Sequence, residues 1–276
     1  MSWWAIDVRT APERRDAVGA WLVARTGHAV EEQADGTLVT FAESEAAADR
    51  LIAELHAGPD REAVASRRAL ESVDWSTRWR DGLAPRRIGR LTVTPSWVEA
   101  SAENGPVVVV DPETAFGSGE HGSTRAALTL LDRHLRPGDR VLDLGSGSGI
   151  LAIAAVKLGA ARVAGVEVDS EANEVARRNA ERNAADDRIA FFDGDAGDLA
   201  PLLGPVELLL SNILRNVNTA LLPGIAAALA PGGIAIFAGM EEPEADLFRP
   251  ALAARGFSVV DEVTDAGWWA VAARAG

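Results

Sequence analysis

A chain of 276 residues exceeds the usual size of one domain, and with 47% hydrophobic and 25% charged residues it has the composition of a soluble globular protein, with no apolar run long enough to span a bilayer. The absence of cysteine excludes disulfides, a thiolate metal site and a cysteine nucleophile, and no metal is expected. A net charge of −14 disfavours a broad phosphate-binding surface, so no direct nucleic-acid contact is expected and a basic protein partner suits the chain better, although acidic charge also serves solubility alone.

The first residues, Met1-Ser2-Trp3-Trp4-Ala5-Ile6-Asp7, lack the basic start and apolar middle of a secretion signal and alternate like a strand over 3–8, so a cytoplasmic location is expected. Residues 12–24 carry helical spacing through Ala17, Val18, Trp21 and Leu22. Segments 28–33 and 37–42 can pair as a hairpin across Asp35-Gly36, and Ser44 is placed to cap a helix running to about Leu55. This order predicts a small α+β domain over residues 1–57, punctuated by Gly58-Pro59-Asp60. Residues 58–72 follow as a linker, polar and without an apolar stripe from Arg61 to Ser72, and read as a linking helix or tether. Residues 73–276 form the main domain. It opens on a Trp-rich stretch with a strand at 90–94 and an apolar run at 107–110. From Asp139 onward, apolar runs near 140–144, 162–168, 188–192, 206–211 and 233–238 alternate with helical segments, the pattern of an α/β parallel sheet wrapped by helices. Segments 256–263 and 268–272 follow one another without a helix, which implies an antiparallel pair at the sheet edge.

The segment Val141-Leu142-Asp143-Leu144-Gly145-Ser146-Gly147-Ser148-Gly149-Ile150 reads as a buried strand, a glycine-rich turn and a helix start. Gly145, Gly147 and Gly149 permit close approach to a ligand, and the helix start offers free N–H donors. Such a turn also fits nicotinamide or flavin binding, or no ligand at all. Asp143 shifts the balance, because a carboxylate just before the turn repels a pyrophosphate and attracts the ammonium group of a methionine moiety. About twenty residues on, Glu167 ends the next strand, where it can accept ribose hydroxyls. Asp169 is a second candidate there or a helix cap, and Asp195 with Ala196 at the end of the third strand is an adenine contact or a surface turn.

The spacing of these loops resembles class I S-adenosylmethionine-dependent methyltransferases, whose sheet is Rossmann-like with a final antiparallel strand. A narrower match lies upstream. Asp111-Pro112-Glu113-Thr114-Ala115-Phe116-Gly117-Ser118-Gly119-Glu120-His121-Gly122-Ser123-Thr124 resembles the leading motif of the PrmA-type methyltransferases of large-ribosomal-subunit protein eleven. Asp74-Trp75 with Trp79, Pro95-Ser96-Trp97, the glycine loop, Ser211-Asn212-Ile213-Leu214 and Gly267-Trp268-Trp269 are similar to that family in the same order. The resemblance is weakest over the first sixty or so residues, where substrate selection would reside. It implies that Phe116, Gly117 and Ser118 line a cofactor pocket and that Thr124 begins the covering helix. The family pattern Thr-His-Pro-Thr-Thr is replaced by Glu120-His121-Gly122-Ser123-Thr124, which is expected to loosen the loop and to add a charge facing the cofactor.

Methyl transfer to an amine is an in-line displacement that needs positioning more than acid catalysis. Asn212 ends the fourth strand of the run, where its oxygen can accept amine hydrogens or merely cap the next helix. His121 is a conceivable base but reads better as a packing residue. The expected activity is methylation of amino groups on a basic ribosomal protein. A methyltransferase acting on another protein or a small molecule is the alternative, and a nicotinamide-dependent oxidoreductase the outside one, disfavoured by Asp143, the Asn212 loop and the absence of tyrosine.

Overall fold

The computed structural model describes residues 3–26, 30–33, 35–69, 83–100, 105–113 and 115–276. Contacts divide the chain into two compact units, residues 1–78 and 79–276.

In the first unit, β1 (Trp4–Arg9), β2 (Glu31–Glu32), β3 (Leu38–Ala42) and β4 (Val64–Ala69) form an antiparallel sheet in the order β2-β3-β1-β4. Helices α1 (Arg15–Thr26) and α2 (Glu45–Ala57) cover one face. Alternation sets that face, since Ile6, Val8, Leu38 and Ala42 share a buried cluster with Val18 and Leu22 of α1 and Leu51 and Leu55 of α2. Ser44 caps α2 as expected, accepting the Ala47 amide at 3.2 Å. The hairpin is shorter than its sequence suggests, because β2 spans only two residues; His28 and Ala29 lie outside the described residues.

Strand β4 corrects the linker reading. Residues 64–69 are not a tether or helix; they pair with all of β1, from Trp4↔Ala69 to Arg9↔Val64. The helix-facing position that a strand normally fills with an apolar side chain holds Arg67, which pairs with Asp49 and Glu45 of α2 and lies 4.7 Å over the Trp4 ring. The apolar alternation that marks a strand is therefore missing from the sequence. Residues 70–72 lie outside the described residues.

The second unit opens with a small sheet of β5 (Arg86–Ile88), β6 (Leu91–Thr94) and β7 (Val107–Val109), of which β5 was not anticipated. Helix α3 (Gly122–His134) follows. Then come β8 (Arg140–Leu144), α4 (Ile150–Leu158), β9 (Arg162–Glu167), α5 (Ser170–Arg182), β10 (Ile189–Asp193), α6 (Ala196–Leu203), β11 (Val206–Asn212), α7 (Arg215–Ala228), β12 (Leu229–Glu241), α8 (Ala245–Ala254), β13 (Phe257–Asp265) and β14 (Trp268–Ala275). The large sheet has the order β10-β9-β8-β11-β12-β14-β13. Pairing is parallel from β10 to β12, and β14 runs antiparallel to both of its neighbours. The antiparallel pair is thus present, but the last strand inserts between β12 and β13, leaving β13 at the edge.

Both faces of the sheet are covered, which is why its central strands are nearly continuous apolar runs. Val141, Leu208, Leu210 and Ile236 pack with α3 and α4 in one layer, while Leu142, Leu144, Leu209 and Phe237 pack with α7 and α8 in the other. Strand β8 pairs with β9 on one side and β11 on the other, so the sequence order reverses there and a crevice opens at the strand ends.

Phe237, fully buried in β12, meets Phe248 of α8 edge-on with ring centroids 5.2 Å apart and Phe257 of β13 at 6.1 Å. Phe237→Ala should lower the unfolding free energy of this unit by about 3–5 kcal/mol in urea titrations; a loss under about 1 kcal/mol would show that the layer does not depend on this ring.

Candidate active site at the strand ends

A cavity of about 550 Å³ lies where β8, β9, β10 and β11 end, lined among others by Gly145, Gly147, Glu167, Asp195, Ala196 and Asn212. The glycine loop from Gly145 to Gly149 joins β8 to α4. Gly147 has φ 51°, and a Cβ there would stand 2.6 Å from the Phe116 carbonyl oxygen, so the loop that carries Phe116 approaches the glycine loop closely. Ser148 fastens the two, donating its amide to Phe116 at 2.9 Å and its hydroxyl to the Gly117 carbonyl at 2.6 Å.

Asp143 is brought to the glycine loop but not to the cavity. It is fully buried, and Oδ2 accepts the Ala152 amide at 3.1 Å in the first turn of α4, whose N-cap, Gly149, has no side chain to offer. Among the described residues its other oxygen has no partner. Burial pushes its pKa up to about 7; the Ala152 amide works against this and the Glu167 charge adds to it. Asp143 shares a strand face with Val141, the face covered by α4, and this takes it away from the crevice that sequence reasoning assigned it to.

Glu167 does face the cavity. Its Oε2 accepts the Gly147 amide at 3.1 Å, and Oε1 accepts the Val168 and Asp169 amides at 2.9 and 3.1 Å, which aims the carboxylate while leaving acceptor capacity. Asp169 caps α5 through the Glu171 amide at 2.9 Å and does not line the cavity. Asp195 does both, capping α6 through the Gly197 amide at 2.7 Å and lining the cavity beside Ala196. Gly149 stands behind the lining, at the α4 cap.

Asn212 ends β11. Its Nδ2 donates to Thr124 Oγ1 at 3.4 Å, and among the described residues its buried Oδ1 has no partner. It is not a cap, because α7 begins at Arg215 with Leu214 in the N-cap position. Thr124 is fully buried behind Asn212, two residues after α3 begins at Gly122.

The leading motif divides in the same way. Phe116 lines the cavity and is 55% exposed, which rules out an ordinary core aromatic. Gly117 and Ser118 do not line it; the Ser118 hydroxyl accepts the Glu120 amide at 3.2 Å. Asp74, Trp75, Trp79 and Thr114 lie outside the described residues. Of the cavity residues given no cofactor or catalytic role, three are polar or aromatic. His121 has Nδ1 2.7 Å from the Ser123 hydroxyl and its ring between Phe116, at 5.3 Å, and Trp268, at 4.2 Å. Trp268 and Ser123 complete this wall, and the only sequence signal for it was the membership of these residues in the motifs that carry the family resemblance. The apolar remainder, such as Ile213, Leu214 and Val217, carries no signal.

The altered loop behaves otherwise than its composition suggests. Glu120 turns to Arg86, which holds it with Nε and Nη2, and does not face the cavity. Arg125 binds Asp265 through two nitrogens and donates a third contact to the Glu120 carbonyl. Any Cβ at position 122 would collide with the Asp265 carbonyl oxygen and stand 2.9 Å from Trp268 Cδ1. Gly122 therefore tightens this loop against the β13–β14 turn.

A parallel sheet with one inserted antiparallel strand, a glycine loop after β8 and an acid at the end of β9 together define the class I methyltransferase fold. The family model described as ribosomal protein L11 methyltransferase (PrmA) matches residues 3–275. Proteins named ribosomal protein L11 methyltransferase from Pelotomaculum thermopropionicum and Thermus thermophilus are each 41% identical to the chain, over 87% of it and 77% of the first relative, and over 71% of it and 75% of the second. A crystal structure of a ribosomal protein L11 methylase from Lactobacillus delbrueckii superposes with a TM-score of 0.62 at 30% identity, covering 68% of this chain and 96% of that one. The chain belongs to the ribosomal protein L11 methyltransferase family.

Asp143 generates a pH prediction. Its carboxyl moves from 3.8 to about 7 on folding, so the folded state favours the proton; the stabilisation is complete below about pH 4 and is lost as pH rises through about 7, a change on the order of 4 kcal/mol. Asp143→Asn cannot ionise and should flatten the fall in Tm between about pH 5 and pH 8. Parallel profiles for variant and wild type would show that Asp143 does not titrate there.

Proposed function

We propose that the chain transfers methyl groups from S-adenosylmethionine to amino groups of ribosomal protein L11, at lysine side chains, the N-terminus or both, and does so in the cytoplasm. One observation carries the amine reading: Asn212 lines the cavity, and among the described residues its buried Oδ1 has no partner. A buried acceptor left alone costs stability unless an occupant brings an N–H to it.

The residues present fit S-adenosylmethionine. Glu167, aimed by backbone amides, offers acceptors for ribose hydroxyls; Asp195 and Ala196 stand at the next strand end for the adenine; Gly145 and Gly147 leave room for the methionine part; Phe116 closes one side. When bound, the cofactor supplies an electrophilic methyl carbon on a cationic sulfur. Asn212 then holds the amine by accepting its N–H, orienting the lone pair and favouring the positive charge that develops on nitrogen. The wall of Phe116, His121 and Trp268 displaces water, which lowers the pKa of an incoming ammonium. His121, its own pKa held down by burial and then by the Arg125 charge, stays neutral near pH 7 and adds no competing cation. The net charge of −14 complements a basic ribosomal substrate. Among the described residues, no helix is long and apolar enough to cross a membrane.

Incubation with ribosomal extract and cofactor carrying a labelled methyl group should label one band at the size of L11; label confined to small metabolites would remove the protein-substrate reading. Asn212→Ala should lower kcat on the order of a hundredfold while S-adenosylhomocysteine affinity stays within about threefold. A variant with wild-type kcat would show that the amine is held elsewhere.

A further inference from the structure

Helix α5 and its C-cap turn two buried asparagines, four residues apart, toward the chain that leads into the site. Each grips one residue of that chain with both ends of its amide. Asn183 accepts the Val109 amide at 2.9 Å and donates to the Val109 carbonyl at 2.6 Å. Asn179 accepts the Asp111 amide at 3.1 Å and donates to the Asp111 carbonyl at 3.1 Å. Two side chains thus replace a neighbouring strand along the edge of β7 and its continuation, satisfying backbone groups that burial would otherwise orphan.

The two asparagines differ in one respect. Asn179 Nδ2 also donates to the Ser148 carbonyl of the glycine loop at 3.0 Å, whereas the remaining contact of Asn183 Nδ2, 2.8 Å to the Asn179 carbonyl, stays within its own helix. Asp111 is itself immobilised, its carboxylate accepting from the Ser96 amide and hydroxyl at 2.9 and 2.7 Å and pairing with Arg182 at 3.1 Å. Arg182 in turn donates to Asn179 Oδ1 at 2.6 Å. Asn179 therefore joins two loops behind the cavity, and Ser148 joins the same two in front, at Phe116 and Gly117.

Resting on the cofactor reading of the cavity, we infer that Asn179 is a positioning residue for the cofactor. It makes the Phe116 loop and the glycine loop one rigid body and so sets nucleoside affinity without lining the pocket. With Asn179 removed, Ser148 alone fastens the loops, and binding must then order a joint that is already ordered in the intact protein.

The test is calorimetric titration of the full chain with S-adenosylhomocysteine. Asn179→Ala should raise Kd about tenfold and Asn183→Ala no more than about twofold, although each loses a pair of hydrogen bonds to the backbone of the chain that leads into the site. Equal weakening by both variants, or wild-type affinity in Asn179→Ala, overturns the inference while leaving the cofactor reading intact. A wild-type chain that does not bind the compound overturns both. Should Asn179→Ala fail to fold, hydrogen exchange on the wild-type protein decides: saturation with S-adenosylhomocysteine should slow the Asp111 and Ser148 amides together and leave Val109 unchanged, whereas slowing at Ser148 alone overturns the inference.

Discussion

The amide and hydroxyl of Ser148 donate to consecutive carbonyls, Phe116 at 2.9 Å and Gly117 at 2.6 Å, and so seat a loop from before α3 on a loop from after β8. The two are distant in sequence, and neither has regular structure of its own to fix it. Their closeness depends on glycine at 147, where a Cβ would stand 2.6 Å from the carbonyl that Ser148 binds. Two features of the site meet at this seating. Phe116 forms a wall because its carbonyl is held, and Glu167 is aimed because the Gly147 amide donates to it. The glycines thus act through the backbone-to-backbone approach they allow as much as through any ligand they admit.

Charge at the strand ends follows a division of labour that burial decides. Asp143 is wholly enclosed and spends one oxygen on α4, so it supports the loop from beneath. Asp169 spends its carboxylate on the first turn of α5. Glu167 satisfies its neighbours and still faces the cavity, its longer side chain reaching both the Gly147 amide and the next two residues, and Asp195 caps α6 while also lining the cavity. Acids of similar sequence position hold different roles, set by side-chain length and strand face.

The large sheet was legible because buried parallel strands are uniformly apolar and the helices between them are not. Glycine spacing and the acid at the second strand end located the crevice for similar reasons. The misreadings have separate physical causes. Strand β4 was hidden because Arg67 reaches Asp49 and Glu45 of the covering helix α2 and occupies a position that patterning expects to be apolar. Asp143 was misplaced by attention to its charge, although its shared face with Val141 turned it toward α4. Glu120 was taken to face the cofactor because its partner Arg86, thirty-four residues upstream, is a tertiary fact that no local spacing reveals. Trp268 belonged to a familiar motif, but its role depends on a topology that only the sheet order shows.

That topology explains the wall of the cavity. Parallel strands of the sheet end at the crevice, whereas an antiparallel strand begins there, and β14 is the strand that runs antiparallel to β12. Its first residue, Trp268, is registered with Glu241 at the far end of β12 and so arrives at the crevice, where its ring meets His121 at 4.2 Å. The next residue, Trp269, points to the opposite face and is buried with Phe248, ring centroids 6.3 Å apart. Adjacent tryptophans therefore do different work, one shaping the cavity and the other anchoring the strand that presents it. Gly122 completes the arrangement by leaving the Asp265 carbonyl and the Trp268 ring the space that any side chain would fill, and Arg125 holds the same turn by its grip on Asp265. Gly122 thus lies where the last hairpin docks on the loop, and it leaves the Trp268 ring room beside His121.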